Sequence, residues 1–319
     1  MKDLDKNLEV AEEILKEVSK TVIGKDEVIR KILMAILAGG HILINDIPGV
    51  GKTTMTLAFA STLGLKCNRM QFTPDVMPSD VIGFNMYNRV TNTFEYQEGA
   101  VMCNILLADE INRTSPKTQS ALLQVMEEGT TTVDGVTRQL PDPFIVLATQ
   151  NPYGSIGTQK LPESQLDRFM ACLSLGYPTV DDEIQIMRAK QKEKERIHSK
   201  KIIGIDELQA MREIVKNIYV GDAIYEYVAQ IAKATRNSPE IIQGVSPRGS
   251  IAIIAMARAE AFLRGHDYVL PADVQNVLPE TMAHRLVLDQ GRGRDLAPEN
   301  AVKRIMEHVK VPEIKNGKA

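Results

Sequence analysis

The chain has 319 residues, 44% of them hydrophobic and 25% charged, enough for about two globular domains. Its net charge of −3 supplies no basic field of the kind nucleic-acid binders use, and its five scattered histidines offer no metal-ligand spacing. Cys67, Cys103 and Cys172 form no C-x-x-C pair and sit among apolar neighbours, the pattern of free thiols in a reducing compartment. The N-terminus is charged and amphipathic, unlike a signal peptide, and no run of about 18 apolar residues occurs, so the expected location is cytoplasmic.

Residues 4–20 carry Leu4, Leu8, Ala11, Leu15 and Val18 among Lys and Glu, which predicts an amphipathic N-terminal helix. Residues 21–25 break it, and a second helix is expected over 26–37, ending at Gly39-Gly40. There the chain changes character. Ile42, Leu43 and Ile44 form a short apolar strand that runs into Asn45-Asp46-Ile47-Pro48-Gly49-Val50-Gly51-Lys52-Thr53-Thr54, and a helix follows to residue 64. This is the layout of a phosphate-binding loop. Glycines let backbone N–H groups approach an anion, the lysine reaches the outer phosphates, and the threonine hydroxyl can hold Mg²⁺. Pro48, Gly49, Val50, Gly51, Lys52, Thr53 and Thr54 are therefore the candidate nucleotide-binding residues. The motif G-x-x-x-x-G-K-[ST] is incomplete, because Asp46 stands at its first glycine. The competing reading is a Gly-rich turn with an incidental Lys-Thr. The strand before and the helix after favour a nucleoside triphosphate site.

Strand-like runs follow at 66–72, 104–108, 144–149 and 170–175, mostly separated by helical or long irregular stretches. Buried runs alternating with helices predict an α/β fold. Its mostly parallel sheet would be covered on both faces, with chemistry at the strands' carboxyl ends. Residues 73–99 interrupt the alternation as a long excursion, and 130–140 read as a hairpin around Asp134-Gly135. Between them a helix is expected over Pro116–Glu128, with Ser115 as its cap. The segment 181–201 is dense in Lys, Glu and Arg and reads as a solvated helical linker. Residues 202–311 read as helices only, about 205–217, 222–237, 247–264, 272–278 and 298–309, and 314–319 as a frayed tail. The expected division is an N-terminal helix (1–20), an α/β core (21–178), a charged linker (179–201) and an all-α domain (202–319).

Five further residues can carry chemistry. The strand at 104–108 delivers Asp109 and Glu110, adjacent carboxylates that point to opposite sides. Beside a phosphate loop, Asp109 can hold Mg²⁺ or its waters and Glu110 can polarise an attacking water; alone, the pair would be an acidic turn. Asn151 follows the strand at 144–149 and could bond that water or a γ-phosphate, or serve as a turn residue before Pro152. Arg168 could stabilise charge on a γ-phosphoryl group across an interface, or pair locally with Asp167 or Glu163. Arg248 falls in the first turn of a helix capped by Ser246-Pro247, where a cation opposes the macrodipole. Something anionic should compensate it; a nucleotide phosphate is favoured over a surface carboxylate.

Phosphate loop, Asp-Glu strand, Asn, Arg and a later helical Arg, in that order, resemble the AAA+ ATPases. The wording resembles the MoxR family: Ile47-Pro48-Gly49-Val50-Gly51-Lys52-Thr53, Phe72-Thr73-Pro74-Asp75 with Pro78-Ser79-Asp80, Leu107-Ala108-Asp109-Glu110-Ile111-Asn112-Arg113, Ala148-Thr149-Gln150-Asn151-Pro152, Leu161-Pro162-Glu163 to Arg168-Phe169, and Ser246-Pro247-Arg248. The resemblance runs from about residue 22 to 288. It implies that Lys52 and Thr53 are Walker A residues, Asp109 and Glu110 Walker B, Asn151 sensor 1, Arg168 the arginine finger and Arg248 sensor 2. It also implies a helix-2 insert within 73–99, a pre-sensor 1 hairpin at 130–140, both turned toward a central pore, and a helical lid with ATP held between lid and core. Members of that family are ATP- and Mg²⁺-dependent chaperones that assemble or activate protein complexes, sometimes with metal cofactors. They often work with a von Willebrand factor A-domain partner, and a hexameric ring is the expected assembly. The alternatives are a nucleic-acid motor of the same clade, a metal-chelatase ATPase subunit, or a nucleotide-gated binding module. The candidate hairpin carries a single cation, Arg138, which disfavours the motor, and an intact Glu110 disfavours the passive module.

Overall fold

The computed structural model describes residues 2–47, 49–151, 161–191, 199–289, 291 and 297–313. Helices α1 (Lys2–Thr21) and α2 (Asp26–Leu37) precede strand β1 (Ile42–Asn45), and α3 (Lys52–Thr62) follows the Gly-rich turn. Next come β2 (Cys67–Gln71), the short α4 (Pro78–Ile82) and the hairpin β3 (Gly83–Asn88) with β4 (Thr93–Glu98). Strand β5 (Ile105–Asp109) leads through a 3-10 turn, Ile111–Arg113, to α5 (Pro116–Glu128). A second hairpin, β6 (Thr130–Val133) and β7 (Val136–Gln139), is followed by β8 (Ile145–Gln150), α6 (Glu163–Leu166), β9 (Ala171–Leu173) and α7 (Val180–Gln191).

Five strands form one sheet in the order β2-β5-β8-β1-β9, every neighbouring pair parallel. Parallel pairs require crossovers, so helices cover both faces. Because side chains alternate along a strand, the central strands feed two separate cores. Ile42, Ile44, Ile105, Leu107, Ile145 and Leu147 pack with α1, α2 and α3. Leu43, Leu106, Ala108, Val146 and Ala148 pack with Leu122, Leu123, Val125 and Met126 of α5. Strand β2 is the exception to the buried-run expectation: it lies at the sheet edge, and none of its residues is fully buried.

The helix over Pro116–Glu128 has the expected bounds, and Ser115 Oγ accepts the N–H of Thr118 at 3.3 Å. Asp134 and Gly135 take positive φ, 49° and 78°, between the paired Val133 and Val136, which closes the two-residue hairpin. The two hairpins dock on each other through Asn85 Nδ2 donating to Asp134 Oδ2 at 2.7 Å and the Arg138 guanidinium 3.9 Å above the Tyr96 ring.

Beyond α7 come α8 (Ile205–Lys216), α9 (Asp222–Asn237), β10 (Ile241–Gln243), α10 (Pro247–Leu263), α11 (Pro271–Met282), a 3-10 turn Ala283–Arg285, β11 (Val287–Leu288) and α12 (Pro298–His308). The expectation of helices only is corrected by β10 and β11, an antiparallel pair joining Ile241 to Leu288. Strands of three and two residues are too short to display a period-2 pattern. Among the described residues the helical region has no separate core. Leu208, Met211, Ile224, Tyr227, Ile253 and Val277 belong to the same buried cluster as α1–α3. Buried Glu260 of α10 ties this contact, accepting from Arg30 of α2 at 3.0 Å, from Arg264 at 2.6 Å and from Asn276 at 2.8 Å. The remainder of the candidate linker, 192–198, and the tail 314–319 lie outside the described residues. No helix among the described residues is long and apolar enough to cross a membrane.

Candidate nucleotide-binding site

The Gly-rich turn leaves β1 at its carboxyl end. Gly49 and Gly51 hold φ of +88° and +96°, a region that side chains rarely adopt, and a Cβ on either would meet no atom of the described residues within 4 Å. The glycines therefore supply backbone conformation beside open space, the shape an anion cradle needs. α3 begins at Lys52 with Gly51 as its cap, no side chain caps its first N–H groups, and its first turn carries no acidic residue. Those donors and the positive end of the helix both favour an anion in front of the turn. Val50 and Thr53 are half-buried and Thr54 exposed; Pro48 lies outside the described residues. Lys52 is 9% exposed, and its Nζ donates to the Asp46 carbonyl at 3.0 Å. Burial pushes its ammonium down, while Asp109, Asp46 and Glu110 act in the opposite direction.

Asp46, the departure from the motif, has a definite task. Its buried carboxylate accepts backbone N–H groups from Leu175 and, at 3.2 Å, Gly176, with Ser174 Oγ at 3.4 Å. Its own N–H donates to Gln150 at 3.1 Å. The first turn of the loop is thus fastened to the segment after β9 and to β8. A glycine could not do this.

At the carboxyl end of β5, Asp109 Oδ1 accepts from Thr149 Oγ1 at 2.6 Å and Oδ2 pairs with Arg69 at 2.9 Å. Parallel register explains the first contact: Ala108 pairs with Ala148, so the next residues, Asp109 and Thr149, sit side by side. The same hydroxyl accepts the N–H of Glu110 at 2.9 Å. Glu110 takes φ +56°, which turns its side chain out of the strand to an ion pair with Arg113 at 2.7 Å. Asn151 follows β8, and its carbonyl accepts from Asn112 at 3.3 Å. Lys52, Asp109, Glu110 and Asn151 therefore gather at one edge of the sheet. Thr53 and Asp109 are hard oxygen donors of the kind Mg²⁺ takes, and at Asp109 the cation would replace Arg69. Arg69, Thr149 and Arg113 were not among the sequence candidates. Only strand register, or a turn at Glu110, reveals them.

Arg168 and Arg248 lie elsewhere. The N–H of Met170 donates to the carbonyl of His41 at 2.8 Å, so the segment holding Arg168 joins β1 at its amino end. The five residues 41–45 separate it from the phosphate loop by about 16 Å at ~3.3 Å per residue. Arg168 pairs with neither Asp167 nor Glu163. Its Nη1 reaches Glu127 and, at 3.0 Å, the Leu123 carbonyl, both on α5. Arg248 pairs with the same Glu127 through Nη2. Within the chain the anion beside Arg248 is thus a surface carboxylate, the alternative to a nucleotide phosphate. Asp167 is taken instead by Arg285 at 2.8 Å and by Ser246 Oγ at 2.8 Å. Arg285 is 4% exposed and also donates to the Phe169 carbonyl at 2.6 Å, so the helical region is bolted to the Arg168 segment.

A five-stranded parallel sheet with a phosphate loop, paired strand-end carboxylates and a helical lid defines an AAA-type ATPase. The family model described as "ATPase family associated with various cellular activities (AAA)" matches residues 41–171, and the AAA lid domain matches 233–307. The uncharacterised protein YeaC of Bacillus subtilis is 46% identical over 93% of both chains. Chaperone MoxR1 of Mycobacterium tuberculosis is 38% identical over 93% of this chain and 81% of its own. A crystal structure from Cytophaga hutchinsonii, provisionally assigned as an ATPase, superposes with a TM-score of 0.92 at 34% identity over 98% of both chains. The chain belongs to the MoxR family of AAA+ ATPases, and it is an ATPase.

Proposed function

We propose that this ATPase is a cytoplasmic chaperone that works as a closed ring of identical protomers, a hexamer, and remodels or activates client protein complexes. A von Willebrand factor A-domain protein would deliver or select the client. In each protomer the Gly49–Gly51 backbone and Lys52 bind the triphosphate of ATP, and Asn151 and Glu110 orient the attacking water, with Glu110 taking its proton. Thr53 and Asp109 would hold Mg²⁺, which supplies charge neutralisation at the phosphates.

The observation that carries the ring is the position of Arg168 and Arg248 at the sheet edge opposite the phosphate loop. Neither reaches the loop of its own chain, so an arginine acting on phosphate acts on a neighbour's. Each site is then completed by a second copy, which requires a head-to-tail assembly that closes.

Mixing two inactive variants tests this. Lys52→Ala keeps the arginines but loses nucleotide; Arg168→Ala keeps the loop but loses the arginine. Mixed rings should recover turnover at interfaces where an intact loop meets an intact Arg168. Absence of recovery, or an Arg168→Ala protein with wild-type turnover, would overturn the reading.

A further inference from the structure

Glu127 and Arg248 each occupy the wrong end of a helix. Glu127 lies in the last turn of α5, where the carbonyl end disfavours a carboxylate, and Arg248 lies in the first turn of α10, where the amide end disfavours a cation. Their ion pair relieves both mismatches and sets the end of α5 against the start of α10. The second Glu127 oxygen takes Arg168, so one carboxylate joins a core arginine to a lid arginine.

Two features separate this from an ordinary surface ion pair. First, the charges do not cancel: two guanidinium groups share one carboxylate, so the trio keeps a positive charge and faces solvent, its side chains 30–44% exposed. Second, donors are left over. A guanidinium carries five N–H groups. Glu127 and Leu123 engage Nη1 of Arg168 and Nη2 of Arg248, and no other described residue engages the rest. Without Glu127 the two cations would repel and their long side chains would splay.

We propose that Glu127 is a positioning residue: it yokes Arg168 and Arg248 into one pair that meets the triphosphate held by a neighbouring copy of this chain. This rests on the ring reading above. The carboxylate grips one edge of each guanidinium and leaves the other edge for phosphate oxygens. The ordering of two flexible side chains is then complete before the neighbour arrives, which is preorganisation.

The test uses the full chain. Glu127→Gln keeps size and removes charge; it should slow saturated ATP turnover by up to about 100-fold, the scale of a misplaced catalytic group. Affinity of dilute, unassembled protomers for a fluorescent ATP analogue should be unchanged, because each protomer's own loop is at the other sheet edge. Glu127→Asp should recover part of the rate. The decisive readout is mixing: the Glu127→Gln chain combined with the inactive Lys52→Ala chain should regain turnover, because Lys52→Ala protomers present a properly yoked pair to Glu127→Gln loops. A purely structural defect in Glu127→Gln would not be repaired by such a neighbour. Wild-type turnover in Glu127→Gln, or no gain on mixing, would overturn the yoke. If Arg168→Ala and Arg248→Ala are inactive while Glu127→Gln is not, the yoke alone fails; if Arg168→Ala is fully active, the ring reading fails with it.

Discussion

Asp46 illustrates how far a motif can be read at the scale of a residue. The sequence marks it as a departure, and the structure makes it the acceptor for N–H groups of Leu175 and Gly176. Asp46→Ala should leave those donors buried and unpaired and cost about 2 kcal/mol, lowering the urea midpoint; Asp46→Asn should cost less. A wild-type midpoint in Asp46→Ala would show that water replaces the carboxylate. Within the site, Glu110→Gln should keep nucleotide binding and lose turnover by about 100-fold or more. Equal loss of binding would remove the water-polarising role. Acid sensitivity also belongs to residues. Burial pushes His41 down to about 4 and His284 to about 3, from an ordinary 6.5. His41 Nδ1 accepts the Val146 N–H at 3.0 Å, which a protonated ring cannot do. The unfolded chain binds these protons near pH 6.5 and the folded chain does not. Stability is therefore full above pH 6.5 and falls as pH drops toward 4, by about 1.4 kcal/mol per unit for each histidine. Urea midpoints at pH 7.5 and 5.5 should show the loss, and His41→Asn should flatten it.

At the scale of elements, capping signals were legible and short strands were not. Ser115-Pro116 and Ser246-Pro247 each start a helix, because a serine oxygen and a proline act within one turn of the chain. The start of α10 carries more than its own helix: Ser246 Oγ accepts from Gly249 at 3.1 Å and donates to Asp167 at 2.8 Å. Ser246→Ala should cost about 1 kcal/mol of stability, and it also leaves Asp167, next to Arg168 in the chain, with Arg285 but without its serine partner. Thermal unfolding together with the ATPase rate checks both effects; a loss of stability with an unchanged rate would uncouple the cap from the arginine segment. β10 and β11 escaped because their partners lie far apart in sequence and each is shorter than a pattern.

For the whole molecule, the sharing of one core between α1–α3 and the lid bears on how motion is transmitted. Glu260 binds α2, α10 and α11 together, and Arg285 joins the lid to the segment of Arg168. A lid that swings would carry Arg168 with it, so nucleotide-driven motion would be passed to the interface, not absorbed by a loose hinge. In the proposed ring, turnover per protomer should accordingly rise steeply with protein concentration; a rate independent of concentration would mean that one chain suffices.

The glycines of the turn after β1, the carboxylates at the end of β5, the helix caps and the alternation of strands and helices were legible along the chain. These are local: turn residues, hydrogen bonds within a turn and side-chain periodicity act over a few positions. Tertiary structure decided which charges meet. Asp46 finds its partners 129 and 130 residues away, and Arg248 finds Glu127 across 121. Arg168 was legible as a cation before a strand. That it lies at the sheet edge away from its own loop follows only from the parallel order of β9 beside β1, because pairing through space sets the edge at which a side chain emerges.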